Sequence, residues 1–584
     1  MPSRLAITDR IMLLKYSFFY ILLFLTSIIS YAQGIGKKIP IDPYNYSIQK
    51  DVAGKHGIVV CAHTLAAKVG MDVLMQGGNA IDAAIATQLA LAVVYPEAGN
   101  LGGGGFMVAT LGTHKKIALD FREVAPGGAT RDMYVDRKTG NANLQLSEEG
   151  HLACGVPGTV AGLFAAMKYA KLPFETLIQP AIELADKGFV ITEREANALN
   201  NNAADFRRNN KTLPVFVKLT GRWKAGDTLV QKELGGTLKR IQRNGMKGFY
   251  EGETAKLIVS EMKNSGGIMS LSDLKKYEVA DRIADEFDYR GYHIITMPLP
   301  SSGGILLHQM LKILEARPIE RYGFHTAKSV QLITEVERRA YADRAEYLGD
   351  PDFIKVPVKT LVSDNYLKQR MYDYDSTRAS VSADIKPGSI RESDETTHIS
   401  IIDKDGNCVS VTTTLNGTYG SKCVVAGAGF LLNNEMDDFS VQPGVPNQYG
   451  AIGGAANAIA PRKRMLSSMS PTIVFKDDRP FMIVGTPGGT TIITSVLQSI
   501  INVIDYGMNA HDAVNEPKFH HQWLPDQVDV EKDFPADVRR QLQDMGYKIN
   551  DREPWGRMEL IKQKTGMQYE AAADKRGDDD AEGY

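Results

Sequence analysis

Cysteine is scarce in this 584-residue chain, and the four present (Cys61, Cys154, Cys408 and Cys423) fit no CxxC framework or zinc spacing. A Cys408–Cys423 bridge is conceivable, but buried free thiols are the simpler expectation. No basic excess exists either: the formal net charge is −2, which gives nucleic acid or an anionic membrane surface no electrostatic footprint. Gly-x-Ser-x-Gly and His-Glu-x-x-His are both missing, which excludes the serine elbow and the zinc helix of common hydrolases. His520 and His521 are neighbours, so on a regular element they point apart and read as structural residues instead of a metal pair. No metal or organic cofactor is implied.

Long apolar runs are confined to the start. Arg4, Arg10 and Lys15 precede an apolar stretch from Tyr16 to Ile29, followed by Ser30-Tyr31-Ala32. This is the layout of a secretory signal peptide over residues 1–32, which predicts export to the periplasm or beyond. An N-terminal membrane anchor is the alternative, for which the run is short.

What the chain has in quantity is clustered glycine, which suggests sites lined by backbone. Residues 57–62 (GIVVCA) read as a strand. Asn79 reads as the cap of an apolar, buried helix, and Gly102 to Gly105 lead into a second strand, FMVATL. That glycine run lacks the Gly-Lys-Ser/Thr ending of a phosphate loop, so close backbone packing is expected. Residues 158–345 read as mostly helical. The stretch from Ile354 to Glu395 is polar and predicts an exposed, mobile segment, and the acidic C-terminal tail around Asp578 to Asp580 is expected to be solvated.

From His398 the pattern changes to alternation. HISIID, the turn Lys404-Asp405-Gly406 and NCVSVTTT predict a hairpin with glycine at the left-handed turn position. That turn sets Ile399 opposite Val411 and Ile401 opposite Val409 on an apolar face. Thr396 then faces Thr414 on the other side. On geometry alone this is an ordinary cross-strand pair. Taken singly, Arg122 could equally form a salt bridge with Glu123 or Asp120. Asp437 and Asp438 could cap a turn, and Gly488-Gly489 could make a tight strand-to-helix corner.

Thr396-Thr397-His398 resembles the start of the small subunit of γ-glutamyltranspeptidases. The likeness continues in LNNEMDDFS (432–440), PGVPNQYGAIGG (443–454), MLSSMSPTIV (465–474), GTPGG (485–489) and FHHQWLPD (519–526). Upstream it includes GNAIDAAIA, NLGGGGFM, LDFREVAP, PGTVAG, PSSGG and AYADRAEYLGDP. These motifs run in one order from about Gly57 to the C-terminus.

The resemblance implies an N-terminal nucleophile hydrolase, an αββα sandwich of two mainly antiparallel sheets. It would mature by autocleavage between Glu395 and Thr396 into a large piece (33–395) and a small one (396–584), which stay together as a heterodimer. Thr396 would be the nucleophile, Thr414 would orient it, and Gly488-Gly489 would form the oxyanion hole. Arg122, Ser467 and Ser468 would bind the α-carboxylate of a γ-glutamyl group, and Asn416, Glu435 and Asp438 its ammonium. Tyr449 would be the aromatic gate of a lid loop. Substrates would be glutathione and other γ-glutamyl compounds, with water, an amino acid or a peptide as acceptor. Two rival readings are a related cephalosporin-type acylase and an exported γ-glutamyl binding protein without catalysis.

Overall fold

Alternating β-branched residues extend where their side chains can pack on a pleated face, and the predicted hairpin forms that way. Strands Glu395–Asp403 and Cys408–Asn416 pair antiparallel, with Ile399 opposite Val411, Ile401 opposite Val409 and Thr396 opposite Thr414. Gly406 closes the turn at a φ of +78°. The computed structural model describes residues 39–112, 115–385, 395–442, 454–566 and 568–584, with residue 395 by its backbone alone. The signal peptide expected over 1–32, the last stretch before the expected cut (386–394) and Tyr449 with almost all of its loop lie outside these residues.

The hairpin forms the middle of a seven-stranded sheet. Its order is Asp580–Gly583, Gly57–Cys61, Glu395–Asp403, Cys408–Asn416, Gly104–Leu111, Lys115–Asp120 and Ala280–Arg282. A second seven-stranded sheet runs Asp51–Gly54, Gln568–Ala573, Glu559–Thr565, Arg479–Gly485, Thr472–Lys476, Tyr292–Thr296 and Asp285–Tyr289. All pairings within both are antiparallel.

Side-chain alternation then decides the layers. Ile399, Ile401, Val409 and Val411 join one core with helices Thr64–Met75 and Ala80–Val94. Each such fully buried side chain contributes about 1.5–3 kcal/mol. Helices Gly303–Glu315, Ala327–Tyr347 and Thr491–Ile504 join a second core with the other sheet. The four layers are helix, sheet, sheet, helix.

Helix Ala80–Val94 shows how local chemistry starts such an element. The Asn79 side chain accepts from the N–H groups of Ile81 and Asp82, and Asp82 returns a bond to the Asn79 N–H. Every residue of this helix is buried, as its unbroken apolar character predicts.

One expectation of exposure is corrected. Asp579 and Asp580 are fully buried: Asp579 pairs with Arg557, Asp580 accepts the Gln49 N–H, and Asp580–Gly583 adds a strand beside Gly57–Cys61. The acids are tolerated inside because partners far away in sequence meet them. The polar segment after Ile354 is mostly exposed or half-buried as far as Ile385, as expected, and holds helices Val358–Leu361 and Asp364–Arg370. It stays pinned as far as Ile385, because Arg338 donates to the Ser382 hydroxyl and Trp523 Nε1 donates to the carbonyls of Ser382 and Ile385. All four cysteines are buried free thiols. Among the described residues no helix is long and apolar enough to cross a membrane.

Candidate active site

The open end of the hairpin, opposite its turn, carries the two threonines. Thr396 stands opposite Thr414, immediately after a register shift between Glu395 and Thr396. The Thr414 hydroxyl accepts the Asn416 N–H at 2.8 Å. The close backbone packing expected of the glycine run is found against this strand: a β-carbon on Gly103 would lie 2.0 Å from the Thr414 carbonyl oxygen. Asn100 donates to that same carbonyl at 2.9 Å. His398, two residues after Thr396, fills the space between the sheets. Its ring atoms bond the hydroxyls of Thr412 and Ser400 at 2.9 and 3.1 Å. Burial holds its pKa down at about 3, so it is neutral and structural.

Arg122 is buried at the end of the strand Lys115–Asp120, and its partners are not those the sequence offered first. Nη1 lies 2.5 Å from Glu435 Oε2, and Nη2 pairs closely with Asp438. Glu123 is more distant at 3.7 Å. Asp120 accepts only the backbone N–H of Arg122, while its carboxylate pairs with Arg282 and Arg464. One 3₁₀ turn, Glu435–Asp438, sorts the neighbouring acids: Asp438 meets Arg122, whereas Asp437 accepts the Ser147 hydroxyl at 2.5 Å. Asn416 holds this turn by donating from Nδ2 to the Asn434 carbonyl at 2.9 Å. It does so in the left-handed region, at a φ of +75°, a conformation that asparagine tolerates better than most residues.

Ser467 and Ser468 present hydroxyls whose direction is set from behind. Ser467 Oγ accepts the Met469 N–H at 3.2 Å, and Ser468 Oγ accepts from Arg344 Nη2 at 3.1 Å. Each oxygen is thus engaged as an acceptor, which leaves its proton to donate elsewhere. Gly488 and Gly489 have φ of +136° and +57°, and a β-carbon on Gly488 would lie 2.6 Å from Thr491 Oγ1. They directly precede helix Thr491–Ile504, so their N–H groups lie at its positive end.

One small cavity gathers Arg122, Thr396, Thr414, Asn416, Glu435, Asp438, Ser467, Ser468 and Gly489. Its volume in the continuous chain is only about 10 Å³, room for about one water. A cavity of about 840 Å³ lies beside residues 39–43 and holds none of these groups. His520 bonds Thr494 and Gln522, and His521 Nδ1 accepts the Trp523 N–H, which are structural roles. Among the described residues no cluster of His, Cys, Asp or Glu is arranged to hold a metal.

Arg344 escaped sequence reasoning because only the fold brings it here, and the burial of Glu123 beside Arg122 was likewise not readable from the chain. Burial pushes the Glu123 carboxyl up to about 8, against a smaller opposing pull from Arg122. The unfolded chain gives up this proton near pH 4.5, while the folded chain keeps it to about 8. Folding stability from this group is therefore full below pH 4.5 and declines as pH rises through 8. Glu123→Gln, which is neutral throughout, is expected to flatten that decline. Thermal midpoints of both proteins from pH 5 to 8 check it, and parallel curves would refute it.

The gamma-glutamyltranspeptidase family profile matches residues 66–584. The glutathione hydrolase proenzyme of Escherichia coli (strain K12) is 46% identical over 549 residues, which cover 93% of this chain and 94% of the relative. Among solved structures, the cephalosporin acylase of Bacillus halodurans superposes with a TM-score of 0.81 at 27% identity, covering 94% of this chain and 99% of that one. The Helicobacter pylori gamma-glutamyltranspeptidase superposes with a TM-score of 0.55 at 42% identity, covering 60% of this chain and 97% of that one.

Proposed function

The chain belongs to the gamma-glutamyltranspeptidase family, and on that premise we propose that it is an exported γ-glutamyltransferase and glutathione hydrolase that cuts itself before Thr396. One observation carries the reading: a threonine pair, an arginine with two acids, two serines and a glycine corner converge on a single cavity. A γ-glutamyl group brings an α-carboxylate and an α-ammonium, and burying either charge without a partner is costly. The Arg122–Glu435–Asp438 cluster is already an ion pair of matching polarity. A zwitterion can insert so that its carboxylate meets Arg122, Ser467 and Ser468, and its ammonium meets Glu435, Asp438 and Asn416. Each buried charge then exchanges one partner for another.

Cleavage at the Glu395–Thr396 bond releases the α-amine of Thr396, whose ordinary pKa is about 7.7–8.0. That amine takes the proton from Thr396 Oγ as the oxygen attacks the γ-carbonyl carbon. Thr414 orients the hydroxyl. The Gly488 and Gly489 N–H groups receive the oxyanion, and the helix end behind them favours the negative charge. The C–N bond breaks, the leaving amine takes the proton, and a γ-glutamyl ester remains on Thr396. Water releases glutamate, or an amino acid or peptide amine takes the γ-glutamyl group.

The acylase reading accounts for less, because a cephalosporin-type side chain needs no paired clamp for both charges. An unprocessed γ-glutamyl binding protein would have no use for the threonine pair or the glycine corner. The test is N-terminal sequencing of the mature protein together with a glutathione hydrolysis assay. The expected outcome is two pieces, the smaller beginning at Thr396, with turnover. A small piece beginning elsewhere, or an active uncut chain, would refute the maturation.

A further inference from the structure

We propose that Arg344 is the positioning residue that fixes the direction of the Ser468 hydroxyl, and so governs recognition of the substrate α-carboxylate. This rests on the assignment of Ser468 to that carboxylate given above. Arg344 is fully buried on helix Ala327–Tyr347 and is not among the residues lining the cavity, so it acts through what it touches. Its Nη2 donates to Ser468 Oγ at 3.1 Å and its Nε to Ser302 Oγ at 2.7 Å.

The chemistry of the two partners makes this contact directional. A guanidinium has only donors, so any serine facing it must use its oxygen as acceptor and turn its single proton away. Ser302 shows the result: with its oxygen facing Arg344, it donates its proton to the Ser467 carbonyl at 2.7 Å. Ser468 obeys the same constraint, but no protein acceptor among the described hydrogen bonds takes its proton, and its side chain lines the cavity. The proton is therefore offered where the carboxylate would sit.

The support behind the pair is rigid. Residues 300–302 back the serine segment almost residue by residue: Ser467 N–H donates to the Pro300 carbonyl at 2.9 Å, Ser302 N–H to the Ser467 carbonyl at 2.7 Å, and Ser301 Oγ to the Met469 carbonyl at 2.7 Å. One turn earlier on the same helix, the Tyr341 hydroxyl donates to the Thr490 carbonyl at 2.5 Å, beside the glycine corner. A single helix of the large piece thus braces two parts of the site that belong to the small piece.

The experiment compares a γ-glutamyl anilide with its 4-aminobutyryl analogue, which lacks only the α-carboxylate, on mature enzyme. Arg344→Met is expected to raise KM for the γ-glutamyl donor about tenfold, with kcat within about twofold and kcat/KM for the analogue unchanged. Arg344→Lys, still a pure donor, should recover most of the loss. Ser468→Ala should give a loss of similar size, and the double variant no more than either alone. Equal losses on both donors, or additive effects in the double variant, would overturn the positioning role. If Ser468→Ala impairs only the carboxylate-bearing donor while Arg344→Met and Arg344→Lys do not, the Arg344 inference alone fails. If Ser468→Ala leaves the discrimination intact, the carboxylate assignment fails with it. Should Arg344→Met not mature, Arg344→Lys carries the comparison, with a smaller KM rise confined to the γ-glutamyl donor as the expected result and unchanged KM as the refuting one.

Discussion

A Thr396→Ala chain is expected to accumulate as one uncut polypeptide and to hydrolyse glutathione at least about 10⁴-fold more slowly than the mature enzyme. Under the proposed reading, alanine removes the oxygen that both self-cleavage and γ-glutamyl transfer need, so the two losses would share one cause. The strand should survive. Thr396 is at the end of the hairpin, on the face away from the Ile399 and Val411 core, and its backbone pairing with Thr414 does not involve the side chain. A thermal midpoint close to that of the uncut wild-type precursor would separate lost chemistry from lost fold. Thr396→Ser keeps both the hydroxyl and the future amine and drops only the methyl that restricts the rotamer. It should mature and turn over, more slowly. Electrophoresis of the purified variants with a rate assay decides the matter: a cleaved, active alanine variant would sink the nucleophile.

The second large effect belongs to Arg122. Replacing it with methionine leaves Glu435 and Asp438 buried near one another without their shared cation. Truncating one side of a buried, hydrogen-bonded charge pair costs about 2–5 kcal/mol, mostly as the penalty on the charges left behind. Since the incoming carboxylate also loses its fork, kcat/KM for a γ-glutamyl anilide is expected to fall about 10³-fold. Self-cleavage should proceed, because under the proposed reading it needs the Thr396 hydroxyl and the Glu395–Thr396 peptide bond and not the Arg122 guanidinium. Arg122→Lys should remain strongly impaired: an ammonium is a point charge and cannot serve two carboxylates and a substrate as a planar fork does. Mature, two-piece Arg122→Met with unaltered steady-state constants would rule out the clamp.

The parts of the site readable from residues alone were those built from neighbours in sequence. The Lys404-Asp405-Gly406 turn set the register, and the register put Thr396 opposite Thr414. The choice between Asp437 and Asp438 was not readable in this way. Both lie on one short turn, and only the positions of Ser147 and Arg122 decide which acid faces the cavity. Arg122 itself had Asp120 and Glu123 beside it in sequence, yet it pairs most closely with acids more than three hundred residues away. Arg344 gave no local signal, since its meaning lies in touching Ser302 and Ser468.

By itself, then, the sequence determined the elements and their faces: the hairpin and its pairing, the capped buried helix, the close packing of the glycine run, and the family. Periodicity, turn chemistry and capping act over a few residues, and they are written along the chain. Only the tertiary structure decided which charge meets which, why an acidic tail is buried as a sheet strand, and what aims the serine hydroxyls. A buried charge or hydroxyl takes its orientation from whichever partner the packed layers bring within about 3 Å, and that partner's distance along the chain does not constrain the choice.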